Sequence, residues 1–238
     1  MKLYVYCLAE GVERLNKAPL GVAGTAIQIA KFEDLSALVS VCRPDAFKVT
    51  RKNALAHHEV VSSITKQTTP LPARFGTLVT VQQLQNYVST HRPAIKAKLA
   101  HVRGRAEMNV RMIVSGKPSP ESKSEDALGP GTAFLLEKRR EILSEEAGAA
   151  EKQQLSAWLR EKLGDLIKEE KISVNSSQTV ILAKADHLIE RVDVQEYRTK
   201  MSLAVAERPE VRFMVSGPWP PYSFANIELE FSRQFGVT

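Results

Sequence analysis

Val110 to Gly116 reads VRMIVSG, and the stretch recurs near the other end of the chain as Val211 to Gly217, VRFMVSG. The copies agree at Val, Arg, Val, Ser and Gly, and each mismatch exchanges one apolar residue for another. Each copy reads as a β-strand that ends at a glycine and runs into prolines, Pro118 and Pro120 after the first, Pro218, Pro220 and Pro221 after the second. Each also follows a helical pattern. The repeat therefore predicts two domains closed by the same kind of strand, with two unrelated core strands as the alternative reading.

Working outward, a length of 238 residues suits two domains of ordinary size. A hydrophobic content of 43% with 25% charged residues is enough to bury a core, which argues against global disorder. No apolar run is long enough to span a bilayer, and the apolar stretch in MKLYVYCLAEGVE is too short for a signal peptide, so a cytoplasmic location is expected. Cys7 and Cys42, the only cysteines, have neither a disulfide framework nor a metal-ligand spacing. Charge divides unevenly: residues 1–120 carry 17 basic and 7 acidic side chains, residues 121–238 carry 16 and 20. The basic half suits nucleic acid, an acidic protein surface, contact between the halves, or simply a solvated face. Its cations are scattered singly and no nucleic-acid-binding motif accompanies them, so nucleic acid is the weaker choice.

In the first half, Leu3 to Leu8 reads as a strand buried on both faces, and Thr25 to Ala30 with Leu35 to Val41 as an antiparallel hairpin. Thr50 is placed to cap a helix running to about Gln67, with Leu55, Val60, Val61 and Ile64 as its apolar stripe. His57 and His58 lie on it, but adjacent helical residues point about 100° apart and cannot share a metal. Pro70 to Thr77, PLPARFGT, follows: its prolines hold the chain extended, Arg74 offers a guanidinium to a partner carboxylate or to its own domain, and Phe75 offers an anchor. Val81 to Ala100 reads as a helix kinked or divided at Pro93, with Leu84, Tyr87, Val88, Ile95 and Leu99 buried. Glu107 to Val114 then reads as the strand that completes the first sheet.

Lys117 to Gly131 is rich in Pro, Ser, Gly and charge and reads as a linker. Beyond it a helical stripe includes Leu155, Leu159, Leu163, Leu166 and Ile167. Lys171 to Val174 and Thr179 to Ala185 read as strands, Leu188 to Ala206 as a helix with Asp186 as cap, and Val211 to Ser216 as the closing strand. Helix, strand, strand, helix, strand resembles part of a ferredoxin-like sandwich. Gly217 to Phe224, GPWPPYSF, puts Trp219, Tyr222 and Phe224 on a path that three prolines make extended. Those rings either fold back on the domain or stay exposed as an interaction surface. After them Ile227, Leu229 and Phe231 alternate with polar residues as in a strand or tail.

The fold class expected is thus α+β in two domains. An N-terminal α+β sheet-and-helix domain covers 1–118, a linker 119–130, a C-terminal ferredoxin-like α+β domain 131–218, and a Pro/aromatic segment with an extended tail 219–238. The sequence holds no phosphate-binding glycine loop, nucleophile elbow, paired metal ligands or Cys/His constellation. No catalytic residue, metal or cofactor is expected; an enzyme would have to gather His58, Glu59 and Arg74 in one cleft. The candidates for binding a partner are Arg74, Phe75, Trp219, Tyr222 and Phe224.

The LYVY strand, the HHEVV helix, LPARFGT, the GPGTAFLLEKRR stretch from Gly129 and GPWPPYSF resemble, in this order and over nearly the whole chain, the gas vesicle protein F/L family (GvpF/GvpL). The sequence departs from that pattern at Ala73, where a larger apolar residue is expected. The resemblance implies a non-enzymatic accessory protein of gas vesicle assembly in the cytoplasm. It also implies binding to the small, hydrophobic shell protein GvpA, contact with other accessory proteins, and a place on the gas-facing side of the vesicle wall. An adaptor acting only through other accessory proteins, and a nucleic-acid binder using the basic half, remain the alternatives.

Overall fold

The computed structural model describes residues 1–15, 19–44, 47–115, 152–176, 180–225 and 227. The expected linker and the tail beyond 227 lie outside them. The described residues form an α+β chain with two antiparallel sheets and four helices.

β1 (Lys2–Glu10) is the centre of the first sheet, and residues 4–9 are buried because neighbours cover both faces and both edges. On one edge lies β3 (Leu35–Cys42), antiparallel, with the register shifting between Val5 and Cys7. β2 (Gln28–Phe32) pairs with β3 through the turn Glu33–Asp34, in which Glu33 has a φ of 53°. Arg92 and Lys96 of a helix described below reach Asp34 and tie this turn down. On the other edge lie β4 (Leu71–Pro72) and β5 (Leu78–Val79), both antiparallel to β1. β4 lies within the PLPARFGT stretch and β5 follows directly after it, so residues 73–77 loop out between them. Because they already occupy the second edge of β1, the strand expected to complete this sheet has no place there.

That strand, β6 (Arg105–Ser115), belongs instead to the second sheet, ordered β7-β8-β6-β9, with β7 Glu169–Ser176, β8 Val180–Glu190 and β9 Arg212–Trp219. The two repeat copies therefore do not close separate sheets: β6 and β9 are neighbours in one. β9 is an outer strand of that order, which is where Pro218, with no N–H to give a ladder, is tolerated.

Of the helices, α1 (Arg51–Ile64) starts at Thr50, whose hydroxyl accepts from the Asn53 amide as expected. Its buried face is Asn53, His57, Val60, Val61 and Ile64, while Leu55 is 51% exposed. Stepping back from Ile64 by helical spacing reaches 60, 57 and 53, so the stripe takes in a histidine and leaves the leucine out. α2 (Val81–Val102) opens with a capping box between Thr80 and Gln83 and runs unbroken through the exposed Pro93. α3 is described over 152–163. α4 (Val194–Ala206) begins later than expected, because β8 continues through Leu188 and Ile189, both buried. Asp186 is accordingly a strand residue that accepts from Asn109 and Lys184, not a helix cap.

Two compact units result, and each has its own core. The first comprises residues 1–107 together with the chain from Pro218 onward; the second is 108–217. The boundary expected at 118 thus falls about ten residues earlier, and the aromatic segment packs with the first unit rather than trailing the second. The second core alternates along β6 (Met108, Val110, Met112) and meets Leu159 and Leu163 of α3 and Tyr197 and Met201 of α4. Inside it His187 Nδ1 lies 2.7 Å from the Tyr197 hydroxyl, and Ser156 donates to Glu170. Burial raises the Tyr197 phenol above its ordinary range, with the Glu170 charge adding to the effect.

Candidate partner-binding site

All five residues expected to bind a partner fall in the first unit, on two segments far apart in sequence. The 73–77 loop is held at both ends by β1: Ala73 N–H donates to the Tyr6 carbonyl at 2.8 Å and Val5 N–H to the Thr77 carbonyl at 3.0 Å. Gly76, at φ +92°, supplies the turn that lets its N–H donate to the Tyr4 hydroxyl at 3.0 Å. The side chain of Arg74 is left exposed and Phe75 half-buried.

The second segment leaves β9 at Trp219 and does not continue extended. Phe224 and Ala225 both donate N–H groups to the Pro221 carbonyl, at 3.2 and 3.0 Å, so the chain turns over residues 221–225. Buried Glu107 clamps this turn, accepting the Ser223 amide at 2.7 Å and the Ser223 hydroxyl at 2.9 Å. Ile227 then joins Ala73 in a parallel bridge and donates to the Pro72 carbonyl at 3.1 Å. The two marker segments, PLPARFGT and GPWPPYSF, are thus drawn together by main-chain bonding of Pro72 and Ala73 to Ile227, three residues past the second. Ala73 is 1% exposed between the Tyr6 carbonyl and this bridge, which is the setting of the small residue that stood out in the sequence.

Side chains from both segments meet over α1. Phe75 lies 5.5 Å from Phe47 and 5.9 Å from His57, and Tyr222 lies 6.5 Å from His57 and 6.3 Å from His58. Trp219 meets His58 edge-on at 5.0 Å. A row of rings, Phe75, His57, Tyr222, His58 and Trp219, therefore spans the unit, with the three aromatic members half-buried. Phe224 is half-buried in the turn beside it. The sequence reading weighed His57 and His58 only for metal or proton chemistry and missed them as the bed of this row. The available signal was the position of His57 on the Val60, Val61, Ile64 stripe.

Burial sets the protonation of the row. The His57 imidazole is pushed down to about 4, chiefly by burial; a polar contact with the Ala73 backbone opposes this, although its geometry falls short of a hydrogen bond. His58 is lowered by burial as well, with the Glu59 carboxylate acting against it. The Tyr222 phenol is raised above its ordinary range by burial, then by Cys7 and Glu107. Neutral rings at neutral pH suit apolar contact more than proton transfer. Glu59 and Arg74 are both exposed, and among the described residues no group of three or more His, Cys, Asp or Glu is placed to hold a metal ion. No helix among them is long and apolar enough to cross a membrane.

Comparison with known proteins agrees along the whole chain. A family model described as "Gas vesicle synthesis protein GvpL/GvpF" matches residues 2–226. Gas vesicle protein F1 of Halobacterium salinarum is 27% identical, over 98% of this chain and 97% of that protein. Gas vesicle protein L1 of the same organism is 23% identical, over 93% of this chain and 89% of that protein. The crystal structure of GvpF from Microcystis aeruginosa superposes with a TM-score of 0.75 at 16% identity, covering 95% of this chain and 99% of that one, and so has the same fold. GvpF from Anabaena sp. PCC7120 gives a TM-score of 0.72 at 17% identity.

Proposed function

Because the chain belongs to the GvpL/GvpF family of gas vesicle synthesis proteins, we propose that it is a non-enzymatic assembly factor that binds the hydrophobic shell protein GvpA and delivers it to the growing vesicle. The observation that carries this reading is the row of half-buried rings built from the two marker segments. Aromatic side chains fixed by packing give contact area at low entropic cost, which is what an apolar partner requires. Arg74 stands exposed next to Phe75 and supplies a guanidinium for a carboxylate at the edge of the same surface. We place this role in the cytoplasm and at the gas-facing side of the wall, with other accessory proteins as further partners.

We further assign the second unit to the ferredoxin-like class. Its order of strand, helix, strand, strand, helix, strand and its sheet order β7-β8-β6-β9 support that assignment.

Co-expression of the chain with GvpA, followed by co-purification at low and high salt, tests the function. Capture that survives high salt, and is weakened by Phe75→Asp or Trp219→Ala, is expected from an apolar surface. Failure to capture GvpA at either salt refutes shell-protein binding, and loss of capture only at high salt moves the contact to the exposed cations of the first unit.

A further inference from the structure

In the second sheet the register of β7 and β8 sets Glu170 directly opposite His187. Both turn to the side of the sheet that carries the core, since Ala185 and Ile189, two positions either way from His187, and Ile172, two beyond Glu170, pack there. The His187 side chain is 0% exposed and that of Glu170 5%. A charge in such a place is costly unless the groups around it compensate.

Those groups come from three different elements. From β8, His187 Nε2 lies 3.4 Å from Glu170 Oε1. From α3, the Ser156 hydroxyl donates to Oε2, and the Arg160 guanidinium lies 3.6 Å from the same oxygen. From α4, the Tyr197 hydroxyl lies 2.7 Å from His187 Nδ1. The core residues of β6 and β9 on this side, Met108, Val110, Met112, Val211 and Phe213, carry no charge. Oε1 and His187 Nε2 make no hydrogen bond and are closed to water, so solvent does not stand in for these neighbours there.

We propose that Glu170 is an acid-sensitive latch: as a carboxylate it fastens α3 to the β7 and β8 hairpin, and its protonation lets α3 lift from the sheet. The charged form suits the site because a hydrogen bond to an ionised acceptor is roughly twice as strong as a neutral one, and because Arg160 is drawn only to the anion. Burial pushes the Glu170 carboxyl up, but His187, Ser156 and Arg160 outweigh it and hold the group below the ordinary 4.5. The folded chain thus refuses a proton that the unfolded chain accepts. The stabilisation is complete above the ordinary value and is lost as pH falls below it. Once the latch is neutral, α3 keeps only its apolar hold on the sheet, through Leu159 and Leu163.

The test uses the full chain with Trp219→Phe, which leaves Trp158 of α3, half-buried and 5.7 Å from Phe213, as the single tryptophan. Acrylamide quenching of Trp158 and hydrogen exchange are followed from pH 7 to 3.5. Below pH 4.5 quenching is expected to rise, and the α3 amides to lose protection by about tenfold or more, the equivalent of one lost charge-assisted contact, while the β6 amides stay protected. Glu170→Gln should show the raised quenching already at pH 7 and no acid step. Ser156→Ala, which removes a bond favouring the anion, should move the step to higher pH, and His57→Phe in the first unit should leave it in place. Should Glu170→Gln fail to fold, Ser156→Ala at its half-buried position decides. Flat quenching down to pH 3.5, a step that survives Glu170→Gln or is unmoved by Ser156→Ala, a step abolished by His57→Phe, or one that coincides with loss of β6 protection overturns the latch.

Discussion

Acidification from pH 7.5 to 4.5 is expected to loosen the first unit through His57, a side chain only 3% exposed. Its imidazole falls from an ordinary 6.5 to about 4 in the folded protein, mainly because burial disfavours the cation. The unfolded chain therefore binds a proton that the folded chain refuses. The resulting stabilisation is complete above roughly pH 6.5 and is lost progressively as pH falls toward about 4. Taken over that interval at about 1.4 kcal/mol per pH unit, it amounts to about 3 kcal/mol. The neighbouring His58 acts in the same direction. The Tyr4 hydroxyl, which accepts from Gly76 N–H, lies 3.0 Å from His57 Nδ1 and is the polar partner that the buried ring has in the folded state. The assay is chemical denaturation across this pH range, followed by Trp219 fluorescence in a Trp158→Phe background and comparing midpoints, with and without His57→Phe. The unsubstituted chain should lose stability more steeply by up to one proton per molecule, and His57→Phe should flatten that difference at a cost of about 1 kcal/mol at neutral pH for the orphaned Tyr4 hydroxyl. Parallel curves between pH 6.5 and 4.5 would refute the reasoning.

Two further perturbations probe the same unit. Gly21→Ala places a methyl group 2.1 Å from the Tyr6 hydroxyl, which accepts from Val22 N–H and lies 2.9 Å from Ser40 Oγ, so a loss of about 2 kcal/mol or more is expected in thermal or denaturant unfolding. Glu107→Gln keeps the shape of the clamp but replaces a carboxylate oxygen with an amide nitrogen that cannot accept from Ser223. A loss of about 1–3 kcal/mol should follow, accompanied by exposure of Trp219 read as a red shift in its emission.

Much of the architecture could be read from local pattern, and the failures share one cause. Thr50 announced its helix because a cap is a contact within four residues; the Thr80 cap of α2 is of the same local kind and went unread. β1 announced its central place because six consecutive buried residues need covering on both faces. The partners of VRMIVSG and VRFMVSG were not legible, since two similar apolar strands pair equally well with each other or with separate sheets until the rest of the chain has claimed its edges. β4 and β5, of two residues each, are too short to carry a period and yet decide that outcome. At the candidate site, Phe75, Trp219 and Tyr222 stood out by composition. The bed that joins them did not, because His57 reads as polar and becomes part of the core only when its hydroxyl partner, 53 positions earlier, is brought beside it.

The return of the chain to the first unit at Pro218, after leaving it at Glu107, has a bearing on how the protein is made. A ribosome releases the N-terminal strands and α1 first, but the partners of Glu107 and Pro72 come only after the whole second unit has been synthesised. At about 5–20 residues per second this is a delay on the order of ten seconds. Throughout it, the surface that Tyr222 and Ile227 later cover remains bare on the nascent chain, so apolar molecules made nearby can reach Phe75 and the imidazoles before the protein's own last segment does.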